Sequence, residues 1–214
     1  MTYLEREQGF LIVLSGPSGA GKNTIVNELR KRLDGISYSV SVTTRPPGQG
    51  EIDGVHYDFI TCDEFREMQK AGELLEWATV YGNLYGTPRK FIEIMTARGY
   101  DVILDIDIQG AKQIKNSWPA GIFVFLMPPS MSELRRRICV RGRDSEDAID
   151  IRSRLAWDEL QAVFDYDYVI INNNLDEAVD NLRAIITAER SKVRRCNLLG
   201  FIGNLKGQPC NFSG

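Results

Sequence analysis

The chain has a single histidine, four widely spaced cysteines and no long hydrophobic run. The cysteines form no C-x-x-C pair, and with one histidine they predict neither a zinc site nor a disulfide framework. They are Cys62, Cys139, Cys196 and Cys210. No stretch approaches the roughly 18 apolar residues that span a bilayer, and the N-terminus lacks the apolar segment of a signal peptide. We therefore expect a cytoplasmic protein with reduced cysteines.

The chain also lacks an excess of either charge. Its 26 basic and 29 acidic residues give a net charge of -3 and a pI near 5.4. Such a surface has no general attraction for nucleic acid or for an anionic membrane, so we expect neither as a partner. The 214 residues, 43% of them hydrophobic, suffice for one domain with a full core. The expected partners are small molecules.

A glycine-rich segment directly follows the apolar run 10–14. It reads G-P-S-G-A-G-K-N-T and comprises Gly16, Pro17, Ser18, Gly19, Ala20, Gly21, Lys22, Asn23 and Thr24. Glycines permit backbone angles and close approaches that a Cβ forbids, and a following helix directs its unpaired N–H groups at an anion. The strand before and the amphipathic helix after predict a nucleotide-phosphate site rather than an incidental glycine turn, with Lys22 on the outer phosphates.

Apolar runs alternate with helical patterns, which indicates an α/β fold. Strands are predicted at residues 10–15, 36–42, 57–60, 74–80, 101–106, 122–127 and 168–171. The fully apolar strands are expected to form a parallel central sheet, because both of their faces would be covered. Residues 39–87 combine short polar strands with several glycines, so we expect a small subdomain beside that sheet. Trp77 is assigned to the core.

Helix starts are marked by a capping side chain three residues before an acid. The pairs are Thr61 with Glu64, Ser130 with Glu133, and Asn174 with Glu177. Pro88 is predicted to be a first-turn proline. Arginine and acidic residues dominate the stretch 134–158, which favours a charged helical lid over a core segment.

Three further motifs follow the glycine-rich loop. They read S-V-T-T-R-P-P from Ser41, G-N-L-Y-G-T from Gly82 and L-D-I-D-I-Q-G from Leu104, with Glu51, Tyr57 and Glu76 between the first two. Together with G-P-S-G-A-G-K, and in this order from about Gly9 to Arg190, they resemble guanylate kinase. Several ordered motifs are far more specific than any one of them.

The resemblance implies a P-loop three-layer α/β/α fold with a parallel central sheet, a small mixed β GMP-binding subdomain and a helical lid. Within a single domain at 1–196, the core comprises 1–38, 88–130 and 160–196, the GMP-binding subdomain 39–87 and the lid 131–159. Residues 197–214 are expected to be a flexible tail. The implied reaction transfers the γ-phosphoryl group of ATP, bound with Mg²⁺, to GMP. The sequence leaves the oligomeric state open.

The residue types suit this reaction. The acceptor is a phosphate oxygen whose second pKa is about 6, so it is already ionised at neutral pH and needs no general base. The enzyme has to position the reactants and screen their negative charge, which arginines and Mg²⁺ do. The catalytic residues that the resemblance implies are Lys22, Arg45, Arg137, Arg141 and Arg152.

On the acceptor side, the resemblance places Arg45 on the GMP phosphate, with the hydroxyls of Tyr57 and Tyr85. Glu76 would accept from guanine N1–H and the 2-amino group, while Ser41 and Thr87 donate to O6. Glu51 and Asp105 complete the implied GMP-binding set. The bland alternatives are a solvated Arg45, packing tyrosines and a glutamate exposed on a strand.

On the donor side, Asp105 and Asp107 would organise the metal through its water shell, although a helix-cap role explains either one alone. Arg137 and Arg141 lie four apart and so share one side of a helix. Asn172 would lie near the adenine. The remaining arginines of the lid are expected to be solvated or ion-paired with neighbouring acids; they are Arg135, Arg136, Arg143 and Arg154.

Two positions depart from the family pattern. Gly48 stands where a second arginine normally meets the GMP phosphate, and a charged hydrogen bond is worth roughly 1.5–3 kcal/mol. Asn23 stands where a hydroxyl normally meets Mg²⁺, so we expect weakened metal binding.

Two other functions stay open. Ribose 1,5-bisphosphate phosphokinase shares the P-loop and the fold, but a ribosyl phosphate needs no guanine-reading Glu76. A non-catalytic guanylate-kinase-like domain would bind phosphopeptides, but such domains lose the P-loop glycines and the lysine that this chain retains.

Overall fold

The structure is a computed structural model that describes residues 6, 8–80, 82–140, 155–198 and 202. The predictions for Arg141, Arg152 and most of the tail lie outside these residues. The strands are β1 (Leu11–Ser15), β2 (Ile36–Tyr38), β3 (Val42–Thr43), β4 (Asp58–Phe59), β5 (Leu74–Val80), β6 (Asn83–Pro88), β7 (Asp101–Asp105), β8 (Ile122–Met127) and β9 (Tyr168–Ile171). The helices are α1 (Lys22–Arg32), α2 (Cys62–Lys70), α3 (Arg89–Ala97), α4 (Ile108–Ser117), α5 (Met131–Val140) and α6 (Leu175–Arg190). A further helical segment covers 155–160, and short 3₁₀ turns lie at Gln161–Asp165 and Val193–Arg195.

Five parallel strands form the central sheet in the order β2-β7-β1-β8-β9. Side chains of β1 alternate between its two faces, as a strand requires. Ile12 and Leu14 join the hydrophobic cluster that holds apolar residues of α1 and α6, whereas Leu11 and Val13 join the cluster of α3 and α4. The predicted three-layer α/β/α fold with a parallel sheet is confirmed, because helices cover both faces.

A second, mixed sheet has the order β4-β3-β6-β5. Strands β3 and β4 are parallel, while β6 runs antiparallel to both β3 and β5. Helix α2 closes this sheet with Phe65, which packs against Val42 and Leu74. The Thr61–Glu64 capping box that starts α2 is confirmed, and so are the caps by Ser130 and Asn174.

Three local predictions were wrong. Residues 36–42 are not one strand, because the chain leaves the central sheet after Tyr38 and enters the mixed sheet at Val42. Strand β6 was not predicted at all. Pro88 is the last residue of this strand and the N-cap of α3. Trp77 is 41% exposed, because its side chain lies on the outer face of β5, opposite the buried Glu76 and Ala78.

Among the described helices, none is both long and apolar enough to cross a bilayer.

A buried carboxylate ties the two ends of the fold to the central sheet. Asp101, at the start of β7, has a fully buried side chain that accepts hydrogen bonds from Arg6 Nη1 at 2.6 Å, Phe10 N at 3.2 Å and Arg190 Nε at 2.7 Å. The two arginines are partly exposed, so their charges stay partly hydrated. One carboxylate therefore links the N-terminal segment, β7 and the end of α6.

Asp101→Ala should lower the free energy of unfolding by about 3 kcal/mol, because two clustered guanidinium groups and a backbone N–H lose their acceptor. The measurement is urea denaturation. Asp180→Ala is the control, since Asp180 pairs with Arg183 on the surface and such pairs contribute about 0–1 kcal/mol. If both variants lost the same small free energy of unfolding, the result would mean that Arg6 and Arg190 move into solvent once Asp101 is removed.

Candidate functional site

Three glycines of the loop between β1 and α1 have a positive φ, and at two of them a Cβ would also collide with a neighbouring residue. Gly16 has φ 147°, and a Cβ there would lie 2.3 Å from the carbonyl oxygen of Leu126. Gly21 has φ 98°, and a Cβ there would lie 2.5 Å from Asn172 Nδ2. Gly21 is also the N-cap of α1, which has no side-chain cap and no acid in its first turn. The N-terminal amides of α1 are therefore left to an anion.

Side chains from three elements converge on this loop. Lys22 Nζ donates to the carbonyl of Gly16 at 2.8 Å, which holds the ammonium group over the loop. Asn172, buried at the end of β9, donates from Nδ2 to the carbonyl of Ala20 at 2.7 Å. Arg137 of α5 reaches the Asn172 carbonyl at 3.0 Å and the Ala20 carbonyl at 3.4 Å. The structure thus brings together the predicted Lys22, Arg137 and Asn172.

Helix α5 lies against the loop through apolar side chains. Leu134 and Ile138 are buried with Ala156, and both lie within 3.1 Å of the position that a Cβ on Gly19 would take. On its polar side, Glu133 pairs with Arg136 and with Arg137, and these guanidinium groups lower the pKa of the carboxyl to about 2. Arg137 is therefore held by an ion pair, a feature that the sequence predicted only for its neighbours.

A cavity of about 340 Å³ opens beside these groups. Its wall includes Gly19, Gly21, Thr24, Arg137, Asn172 and Leu175. Thr24 and Asn23 are exposed at the start of α1. This arrangement leaves room for a nucleotide at the predicted ATP side.

Glu159 is a site residue that the sequence did not reveal. It lies in the helical segment 155–160, and its carboxylate accepts the backbone N–H of Ser18. Burial raises its pKa, while Lys22 favours the ionised form and Asp107 opposes it. A carboxylate therefore contacts an amide of the phosphate loop, where an anionic ligand would also bind. No local pattern signals this, because the contact joins segments 141 residues apart in the chain.

A second group of polar side chains lies on the mixed sheet. Arg45 donates from Nε to the Tyr85 hydroxyl at 3.2 Å and from Nη2 to Glu51 at 2.9 Å. Its guanidinium carbon lies 5.4 Å from the ring centre of Tyr57, which meets the Tyr85 ring edge-on at 5.8 Å. All four residues were predicted for the acceptor side, and the fold assembles them. Burial raises the pKa of Tyr57, and the charge of Asp105 adds to this. Its hydroxyl therefore stays a neutral donor.

A buried carboxylate faces the same region from β5. Glu76 is 5% exposed, and its Oε1 accepts a 2.6 Å hydrogen bond from Thr87 Oγ1, across the β5–β6 register pair. Burial raises the pKa of Glu76 to about 7, and the charge of Asp107 acts in the same direction. The bland alternative of an exposed glutamate is wrong. Ser41 lies just before β3, half-buried, and its carbonyl accepts the Asp58 N–H at 3.0 Å.

Two aspartates lie between the two regions. Asp105 ends β7, and its charge raises the pKa of Tyr57, so it faces the acceptor side. Asp107 is the N-cap of α4 and accepts the Gly110 N–H at 2.7 Å. The helix-cap alternative is therefore correct for Asp107, although its charge also reaches Glu76 and Glu159.

The carboxylates of Asp105 and Asp107 suit a Mg²⁺ ion whose other ligands are water and phosphate oxygens. Hard oxygen donors are what this ion prefers, and it retains several waters when phosphates supply the remaining ligands. Within the described part of the chain, no group of three or more acidic, histidine or cysteine side chains could hold a metal by itself. The donor set therefore fits an ion that arrives with a nucleotide.

Comparison with known proteins identifies the family. The guanylate kinase family model matches residues 8–189. This chain belongs to the guanylate kinase family. It is 52% identical over 190 residues to the guanylate kinase of Carboxydothermus hydrogenoformans, covering 89% of this chain and 93% of that protein. It is 50% identical over 192 residues to that of Desulfitobacterium hafniense, covering 90% and 96%.

A solved guanylate kinase has the same fold. The crystal structure of the guanylate kinase from Anaplasma phagocytophilum superposes with a TM-score of 0.76 at 37% identity, covering 92% of this chain and 94% of that one. The resemblance read from the ordered motifs is therefore confirmed, and the chain is a guanylate kinase by family.

Gly48, which departs from the family pattern, lies beside the Glu51 carboxylate. The Gly48 N–H donates to Glu51 Oε2 at 2.6 Å, and the same carboxylate pairs with Arg45. A Cβ at Gly48 would lie 3.0 Å from Glu51 Oε2 and 3.6 Å from Arg45 Nη1, and Gly48 does not have a positive φ. His56, in the same loop, accepts the Ile52 N–H at its Nδ1 and so only supports a turn.

The raised pKa of Glu76 predicts a specific pH dependence of stability. The folded protein binds this proton more tightly than the unfolded chain, so the free energy of unfolding falls as pH rises from 4.5 to about 7. Glu76→Gln removes this titration. The variant should therefore gain stability relative to the wild type, by about 2–3 kcal/mol between about pH 5 and about pH 8.

The measurement is chemical denaturation of both proteins at the two pH values. Glu73→Gln, on the exposed residue before β5, is the control and should show no comparable gain. A pH-independent difference between wild type and Glu76→Gln would contradict the prediction.

Proposed function

We propose that this guanylate kinase transfers the γ-phosphoryl group of ATP to a phosphate oxygen of GMP and so produces ADP and GDP. The observation that carries the proposal is the pairing, on one mixed sheet, of the buried Glu76 carboxylate with the Arg45–Tyr85 donor pair. The first suits a purine base that presents two donors, and the second suits a phosphate.

Glu76 would read the base. Guanine presents N1–H and a 2-amino group along one edge, whereas adenine presents a bare N1 there. A buried carboxylate that meets an acceptor instead of donors loses its hydrogen bonds, which supports discrimination of as much as about 10⁴. Thr87 donates its single hydroxyl hydrogen to Glu76, so it would have to leave the carboxylate before it could donate to O6, as Ser41 would.

Arg45 would bind the GMP phosphate by exchanging partners. Its guanidinium group pairs with Glu51, and its Nε donates to Tyr85. A phosphate carries more charge than a carboxylate and also forms bidentate contacts with arginine, so it would compete for the outer nitrogens. Glu51 would then keep the loop in place through the Gly48 N–H. Tyr57 and Asp105 would complete the acceptor side.

The glycine-rich loop would hold the ATP phosphates through its amides, with Lys22 on the transferred group. Arg137 lies close enough to the loop to reach a nucleotide by giving up its contacts with the Ala20 and Asn172 carbonyls. Arg141 and Arg152, assigned from the family motif, would act with it. In this scheme residues 39–87 are the GMP-binding subdomain, 131–159 the lid and the other parts of 1–196 the core.

When Mg²⁺ is bound with ATP, it would neutralise phosphate charge and favour departure of ADP. Asp105 and Asp107 would hold its water shell. The GMP phosphate oxygen forms the new bond to the γ-phosphorus while the bond to the β–γ bridging oxygen breaks, and no proton has to be removed because the acceptor is already ionised. The residues therefore position the two phosphates in line and screen their charges. We also propose a cytoplasmic location, where both nucleotides are available.

The decisive experiment measures ADP release with GMP, AMP or ribose 1,5-bisphosphate as the acceptor. We expect turnover with GMP and little with the other two. Turnover with the sugar phosphate alone would favour the phosphokinase alternative, and none with any acceptor would favour a phosphopeptide-binding domain.

Lys22→Ala should reduce turnover with GMP by at least about 10²-fold, because a single positioned charge at the transferred group is removed. GMP affinity, measured by titration calorimetry, should stay within about twofold, since the acceptor side lies on the mixed sheet. Lys31→Ala is the matched control, on the exposed part of the same helix α1. Wild-type turnover in Lys22→Ala would overturn the role of the loop.

Gly48→Arg should lower the KM for GMP, because it adds a second charged donor to a loop that has only Arg45. The gain is bounded at about 10- to 100-fold by the roughly 1.5–3 kcal/mol of a charged hydrogen bond. Gly48 has no positive φ, so the backbone would not be strained, but the Glu51 carboxylate would have to shift by a few tenths of an ångström to admit a Cβ. Gln49→Arg adds the same charge at an exposed neighbour and should have little effect. An unchanged KM in Gly48→Arg would show that Glu51 captures the introduced arginine.

A further inference from the structure

A glutamine of α4 takes the place of a neighbouring strand beside β5. Strand β5 is at the edge of the mixed sheet, so the outward peptide groups of Trp77 have no strand beside them. Gln113 Oε1 accepts the Trp77 N–H at 3.2 Å, and Gln113 Nε2 donates to the Trp77 carbonyl at 2.7 Å. A primary amide has the same donor and acceptor as a peptide group, so Gln113 fixes the backbone one residue after Glu76.

The same face of α4 also touches the Glu76 carboxylate. A Cβ on Gly110 would lie 2.4 Å from Glu76 Oε2 and 2.9 Å from its Cδ, so the carboxylate lies directly on the helix backbone. Gly110 and Gln113 are three residues apart and therefore share one side of α4. Asp107, three residues before Gly110, caps the helix through the Gly110 N–H. Helix α4 therefore contacts the Glu76 carboxylate at Gly110 and holds the backbone of β5 through Gln113.

We propose that Gln113 is a positioning residue for base selection, which sets how deeply the Glu76 carboxylate lies against α4 and where it meets the purine. This inference rests on the proposed role of Glu76 as the guanine reader. Recognition groups have to be held to within about 0.5 Å to discriminate, and an edge strand without its clamp lacks that precision. Gln113 touches no substrate and acts through the backbone of Trp77.

The test compares GMP with inosine monophosphate, which keeps N1–H and O6 but lacks the 2-amino group. The ratio of their kcat/KM values reports how well the carboxylate meets that amino group. Gln113→Met preserves side-chain length and helix propensity but removes both hydrogen bonds. We expect the ratio to fall about tenfold, through a higher KM for GMP, with the KM for ATP unchanged.

Lys112→Met is the matched control, since it makes the same new side chain at the exposed neighbouring position of α4 and should leave the ratio at the wild-type value. Gly110→Ala is a second variant that acts at the other contact. Alanine favours the helix by about 1 kcal/mol over glycine, so a lost ratio there would not reflect an unfolded helix. It should lower the GMP to inosine monophosphate ratio at least as much as Gln113→Met.

Unchanged ratios in both variants, with the wild type discriminating, would overturn the inference while leaving the proposed function intact. Equal proportional losses for both acceptors and for ATP would also overturn it, because that pattern means a merely structural role. A wild type that does not distinguish the two acceptors would instead refute the role of Glu76 as the reader of the 2-amino group, and one that does not use GMP would refute the proposed function.

Discussion

The backbone of the glycine-rich loop is the constraint on which the rest of the structure depends. Its amides have to point toward the place where an anion would bind. This requires backbone conformations that are unfavourable unless neighbouring elements stabilise them. Each glycine with positive φ lies against a different neighbour: Gly16 against β8, Gly19 against α5 and Gly21 against Asn172. The loop is therefore shaped by the central sheet and by the helix that follows β8, and any movement of α5 acts directly on it.

Three cations of the candidate site are paired with oxygen atoms of the protein itself. Lys22 donates to the Gly16 carbonyl, Arg45 pairs with Glu51, and Arg137 donates to two backbone carbonyls. Glu159 fills the converse role by accepting an amide of the phosphate loop. In the proposed scheme, nucleotide binding would exchange these partners instead of burying bare charges, which would avoid the large desolvation cost of an unpaired ion.

The elements that the sequence predicted correctly are those whose structure is determined by residues close together in the chain. The loop, the apolar strands and the capped helix starts follow from residues within a few positions of one another. Strand β6 was missed because N-L-Y-G-T-P has little strand preference of its own, and it is extended only because β3 and β5 pair with it. The run 36–42 could not be divided between two sheets, since the pattern of a strand does not say which sheet it joins. Glu159 and Gln113 were beyond prediction because their contacts join distant segments.

The junction of β7 and α4 is shared by both halves of the site. Asp105 ends the strand on the acceptor side, Asp107 begins the helix between the two regions, and Gly110 one turn later touches Glu76. A phosphoryl group can pass in line between two phosphates only when the base and the donor are fixed relative to one rigid body. The central parallel sheet provides that body, because β7 pairs directly with β1, and the phosphate loop follows β1. In the proposed scheme β7 leads into α4, which contacts Glu76 of the mixed sheet, and the adjacent β1 leads into the phosphate loop, so these two strands would fix the base-recognition and phosphate-binding groups relative to each other.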